Sequence, residues 1–127
     1  MNDPSLFEDS AVGIAIVDSA SGKILMANLA YCSLLGRARE SVVGKTWMRF
    51  THLDDVSRIV YVIYKMHETN EAQSFSGRRY VDGNGGIVHA DLTILPFNYG
   101  VTERTHLAIV RNPSSDGTIA EFAASVP

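Results

Sequence analysis

Apolar and polar residues along this chain run through three rhythms, and each predicts a different kind of element. Val12 to Val17 is a nearly unbroken apolar run, the length of a buried strand, and Asp18-Ser19-Ala20-Ser21-Gly22-Lys23 ends it with turn-forming residues. Ile24 to Ala27 reads as the return strand of a hairpin. Asn28 can cap a short helix whose apolar face uses Ala30, Leu34 and Leu35, and Gly36 can stop it. Ala38 to Phe50 predicts short helical turns broken at Gly44. Thr51-His52-Leu53-Asp54 places a carboxylate three residues after a threonine, close to a capping box, and opens the longest helix, from Asp54 to about Glu68. Here the rhythm is helical, with Val56, Ile59, Val60, Ile63 and Met66 on one face.

The last third is β. Ala72 to Val81 predicts a strand, and Asp82-Gly83-Asn84-Gly85-Gly86 is a hairpin turn rich in residues that tolerate positive φ. Val88, Ala90, Leu92 and Ile94 then alternate with His89, Asp91 and Thr93, the cleanest period-two signal in the chain. Thr105 to Arg111 supplies a fifth strand. Two strands, several helices and three strands predict an α+β fold: an antiparallel sheet with helices packed on one face.

Composition narrows the function classes. With 46% hydrophobic and 20% charged residues over 127 positions, the chain suits one globular domain and not a disordered segment. The net charge is -3, and no basic run is longer than Arg78-Arg79, so nucleic-acid binding lacks its usual electrostatic footprint. Cys32 is the single cysteine, which excludes an internal disulfide and a cysteine metal cluster. The N-terminus is polar and the apolar runs are short, so the chain is expected to be soluble and cytoplasmic, with no membrane partner.

Catalytic patterns are weak. His52, His67, His89 and His106 have no metal-ligand spacing, and His52 stands where a helix cap is expected. Asp54 and Asp55 open a helix, where carboxylates oppose the positive end of the dipole. Gly83, Gly85 and Gly86 occupy a hairpin and not a strand-to-helix phosphate loop. Cys32 is spaced for the interior, where a thiol acts as a small hydrophobe. These patterns point away from an enzyme.

The stretches Gly13-Ile14-Ala15-Ile16-Val17-Asp18, Gly22 to Ala30, Leu34-Leu35-Gly36-Arg37, Val43-Gly44-Lys45, His52-Leu53-Asp54-Asp55, Asp82-Gly83, Ile87 to Phe97 and Ile109-Val110-Arg111 follow one another in a telling order. In that order and spacing the chain resembles the PAS family of sensory domains. The resemblance runs over roughly residues 5–112 and implies one domain at residues 1–112, with 113–127 as a C-terminal linker or tail. Two departures stand out. Leu53 follows His52 where the family often has proline, and Asn112-Pro113-Ser114-Ser115 replaces the frequent Asp-Ile-Thr that leads to an output helix.

The resemblance implies a five-stranded antiparallel sheet that, with short helices and one longer helix, encloses a pocket. Ile14, Ile16, Leu35, Trp47, Phe50, Ile59, Ile63, Phe75, Leu92 and Ile94 are its candidate walls, or else they pack as a solid core. Such walls suit a small apolar ligand, with one polar group from Arg58, Tyr64 or Thr93. In haem-binding relatives the iron ligand lies on the long helix, at a position that falls on Ile59, which cannot coordinate iron; His67 is the unfamiliar alternative. The cysteine motif of photoactive flavin relatives is missing from Arg37-Ala38-Arg39-Glu40. Neither haem nor flavin is therefore expected.

The implied function is a signal sensor that controls an attached or partner output module: a kinase, a cyclic-dinucleotide enzyme or a DNA-binding domain. The alternative is a ligand-free dimerisation module. A homodimer is expected, because Ile59 to Tyr64 is apolar or aromatic throughout and one buried stripe cannot use it all. With Ile59, Val60 and Ile63 facing the sheet, Tyr61 or Val62 points away, unless Ile119 and Phe122 cover them. The sheet face bearing His89 and Thr93, helped by Leu6 and Phe7, is the other candidate interface.

Overall fold

The computed structural model describes residues 4–98 and 104–113. Strands β1 (Gly13–Asp18) and β2 (Ile24–Ala27) form the expected hairpin. Asp18 builds its turn: the carboxylate accepts from the Ser21 amide at 3.0 Å and from the Ser21 hydroxyl, and its carbonyl accepts from the Gly22 amide at 2.8 Å. β3 (Gln73–Val81), β4 (Ile87–Pro96) and β5 (Thr105–Arg111) complete one sheet in the order β2-β1-β5-β4-β3, antiparallel throughout. Between the two strand groups lie α2 (Leu29–Leu35), 3-10 turns at Arg39–Ser41 and Trp47–Phe50, and α3 (Leu53–Thr69), with α1 (Pro4–Glu8) ahead of β1.

Asn28 joins the first elements. Its side-chain oxygen accepts from the amides of Tyr31, capping α2, and of Ile14 in β1, both at 2.9 Å. Its amide nitrogen donates to the carbonyls of Phe7 and Val12 at 2.9 and 3.1 Å. All four hydrogen-bonding sites of a fully buried amide are thereby used. Gly36 ends α2 in the left-handed region at φ 61°. The face α2 buries is Tyr31, Cys32 and Leu35; the expected Ala30 and Leu34 sit at its margin.

The start and the rotation of α3 also differ from the sequence reading. His52, not Thr51, is the N-cap, with Nδ1 accepting from the Asp54 amide at 3.1 Å. Thr51 is drawn inside instead, bridging to Tyr80 of β3. Ile59, Ile63 and Met66 are buried as expected, but Val60 is 48% exposed and Val62 packs against the core in its place. β3 is an edge strand, whose free backbone groups need partners. At Arg79 the carbonyl accepts from the His52 amide at 2.8 Å, and the amide donates to the Asp55 carboxylate at 2.9 Å. The Arg79 guanidinium closes on the same carboxylate at 2.7 and 3.1 Å and holds its pKa below the usual value.

One irregularity in β3 sets the chemistry of the interior. Phe75 pairs with Leu92 and Arg78 with Ala90, so Ser76 and Gly77 together oppose Asp91. This is a β-bulge. Gly77 supplies a φ of 72°, and its amide donates to the Asp91 carboxylate at 3.1 Å. The extra residue resets the alternation, so Phe75, Arg78 and Tyr80 all join the inner face with Leu92 and Ile94 of β4, Ala108 of β5 and Val17 of β1.

Candidate functional site

Between this inner face and α3 lies a small cavity lined by Val17, Leu92, Ile94 and Ala108 from the sheet and by Ile59 and Ile63 from α3. Tyr31, Trp47, Arg78 and His106 complete its wall. It leaves about 10 Å³ for the centre of a water-sized sphere, room for roughly one water molecule.

Arg78 is the centre of the polar part. It is 2% exposed, yet among the described residues no carboxylate pairs with it. Its Nη2 donates to the Thr51 hydroxyl at 2.6 Å, and that hydroxyl donates to the Trp47 carbonyl at 2.9 Å. The guanidinium carbon lies 3.9 Å from the Tyr80 ring centroid and 5.5 Å from that of Trp47. These cation–π contacts replace part of the lost hydration. Nε is buried without a hydrogen-bond partner.

The aromatic and imidazole neighbours are neutral. Tyr31 and Tyr80 pack edge to face with centroids 6.3 Å apart. Burial pushes the Tyr80 phenol well above its ordinary pKa, against the opposing pull of Arg78, and raises Tyr31 as well. The Tyr80 hydroxyl has the Tyr31 phenol as its neighbour but no partner in full hydrogen-bonding geometry. His106 shares a hydrogen bond of 2.9 Å between Nδ1 and the Ser19 hydroxyl. Burial first, then the charges of His67 and Arg78, lower its pKa to about 4, so the ring is neutral at pH 7.

Of the ten residues singled out from the sequence, Trp47, Ile59, Ile63, Leu92 and Ile94 meet around this cavity. Leu35 and Phe50 lie in the same core without lining it, and Phe75 packs at its edge. Ile14 and Ile16 turn to the other face of β1, where they are also buried, and Val17 takes the inward place. The inner positions Gly13 and Ala15 are small because α2 lies close: a side chain at Gly13 would start 2.9 Å from the Tyr31 Cα.

None of the three polar candidates reaches the cavity wall. Arg58 and Tyr64 are exposed, Tyr64 donating to Glu68 at 2.9 Å, and Thr93 meets Ser74 at 3.2 Å on the opposite sheet face. Arg78, Tyr31 and His106 take their place. The signal for Arg78 was the glycine before it inside a strand, a mark of a bulge. His67 is half-buried, with Nε2 lacking a hydrogen-bond partner and burial lowering its pKa. Among the described residues, no group of three or more His, Cys, Asp or Glu is placed to hold a metal ion.

The chain matches the PAS fold over residues 3–112. It is 32% identical over 120 residues to the probable diguanylate cyclase DgcE of Escherichia coli (strain K12), a match covering 94% of this chain and 9% of that protein. The chain thus spans under a tenth of the length of that relative. The PAS domain of an HTR-like protein from Haloarcula marismortui is similar at TM-score 0.73 and 26% identity, covering 85% of this chain and 86% of that one. A domain of a sensory box sensor histidine kinase/response regulator from Geobacter sulfurreducens gives a TM-score of 0.69 at 24% identity, covering 85% and 89%. At that identity the likeness is one of fold. With its β2-β1-β5-β4-β3 sheet, the helix α3 packed on one face and a match over residues 3–112, the chain belongs to the PAS family of sensory domains.

Proposed function

We propose that this chain is the sensing module of a signalling protein. It takes a small ligand between the sheet and α3 and passes its state to an attached or partner output module, with no catalysis of its own. The observation that carries this reading is Arg78, a guanidinium buried at a cavity wall without a counter-charge among the described residues. A core serving stability alone gains nothing from it, since apolar residues of similar volume pack as well or better. The output module is of the kind named for the relatives: a histidine kinase or a cyclic-dinucleotide enzyme, with a DNA-binding domain as the remaining class. No described helix is long and apolar enough to cross a membrane, in keeping with a cytoplasmic setting.

A second reading, that the domain pairs with a copy of itself, rests on the outer side of α3. Val60, Tyr61 and Tyr64 are 48%, 60% and 58% exposed and lie on neighbouring turns. Contiguous apolar and aromatic surface of this kind marks contacts. Native mass spectrometry of freshly purified protein separates the readings. A bound small mass supports the sensor, an empty dimer supports the pairing module, and an empty monomer overturns both.

A further inference from the structure

Resting on that sensing role, we propose that the occupant of the cavity is a small monovalent anion, formate before chloride, held by the guanidinium of Arg78. Among the described residues of the cavity wall Arg78 carries the full charge: the phenol of Tyr31 is neutral at pH 7, and burial keeps the imidazole of His106 neutral. The buried carboxylate among the described residues, Asp55, is committed to Arg79, whose guanidinium and amide take both of its oxygens. Among the described residues Arg78 donates to a neutral hydroxyl, that of Thr51, and its Nε has no partner. A buried charge in that condition is unfavourable unless something pairs with it.

Size and shape choose among anions. Space for about one water takes a single-atom ion as it stands and a planar three-atom ion with a small outward shift of the apolar wall, and it excludes bulkier acids. The flat edge of a guanidinium presents parallel N–H groups that match two carboxylate oxygens better than a single sphere. The remaining wall, Ile59, Ile63, Leu92 and Ile94, offers apolar contact to the C–H side of formate.

Trp47 is the only tryptophan of the chain and lies beside Arg78, so its fluorescence reports directly on occupancy. The protein is exchanged into sodium gluconate, an anion too large to enter. It is then titrated at constant ionic strength with sodium formate, acetate or chloride, or with neutral formamide. Formate is expected to change Trp47 emission saturably and to raise Tm by about 5 °C at roughly ten times its Kd, with chloride and acetate weaker and formamide without effect. Arg78→Met is expected to abolish both responses, and Arg78→Lys to keep a weakened one. The wild-type titration stands alone if either variant fails to fold. Equal responses to formamide and formate, or a full formate response in Arg78→Met, would overturn the anion while leaving a sensing cavity. No response to any of the probes, with native mass spectrometry also finding no bound mass, would overturn the sensing role as well.

Discussion

Replacing Asn28 with alanine removes four hydrogen bonds from a residue that has no exposure to solvent. The amides of Ile14 and Tyr31 lose their acceptor in a buried setting, where each unpaired donor costs about 1–3 kcal/mol. The carbonyls of Phe7 and Val12 are only part-buried and can turn to water. The lost cap of α2 is already included in the Tyr31 amide, so the total is about 3–5 kcal/mol, a large share of the roughly 5–15 kcal/mol that holds a domain folded. In urea, with a slope of about 1–3 kcal/mol per molar, the midpoint is expected to fall by about 2 M at unchanged slope. Asn28→Asp sharpens the test. It keeps the acceptor for both amides but sets a second carboxylate oxygen against the two carbonyls. It is expected to be destabilised at pH 7 and to recover part of the loss as the carboxyl gains a proton on acidification. A midpoint loss under about 0.5 M for Asn28→Ala, or wild-type stability for Asn28→Asp at pH 7, would refute this account of Asn28 as the joint of the first four elements.

Three further outcomes are expected. Gly77→Ala meets open space but must hold φ near 72°, so urea melts should show a loss of about 1–2 kcal/mol, smaller for Gly77→Asn, which tolerates that region better. His106 has a folded pKa of about 4 against 6.5 unfolded, so the unfolded chain binds the extra proton between those values. Stability is therefore expected to be full above about pH 6.5 and to fall by about 3 kcal/mol as pH drops to 4, with the slope reduced in His106→Gln when unfolding is followed at a series of pH values. Asp55→Ala strips the edge of β3 of its partner and should cost about 2–3 kcal/mol by calorimetry. In the wild type, the lowered pKa of Asp55 adds stability above 3.8 that is lost only at still lower pH, beneath the window of His106.

Where the chain has one buried face and one wet face, its pattern alone locates the elements. Val88, Ala90, Leu92 and Ile94 alternate cleanly because His89 and Asp91 lie outside the core, and the predicted bounds of β5 are those observed. β1 is harder, because both of its faces are buried and apolar. Choosing the larger pair, Ile14 and Ile16, for the interior overlooked that a close helix demands small residues, which only Gly13 and Ala15 supply. In α3 the six apolar and aromatic residues from Ile59 to Tyr64 fit several rotations, and only packing selects Val62 over Val60. Thr51 was misplaced for a related reason: its hydroxyl serves Arg78, a residue far along the chain, in preference to its own helix.

Arg78 shows why the chemistry of the interior was less legible than the fold. Strict alternation from Phe75 places Gly77, Arg79 and Val81 inside and sends Arg78 outward, the reverse of what occurs. The inversion comes from a single extra residue opposite Asp91, made possible by Gly77 in a conformation that other residues resist. Two adjacent arginines thereby acquire opposite tasks. Arg79 answers a buried carboxylate at the sheet edge, and Arg78 is left at a cavity wall with no carboxylate to meet among the described residues. The same residues paired in strict alternation from Phe75, without the bulge, would exchange those tasks and strand Asp55. The bulge is thus the feature that gives this interior its positive charge.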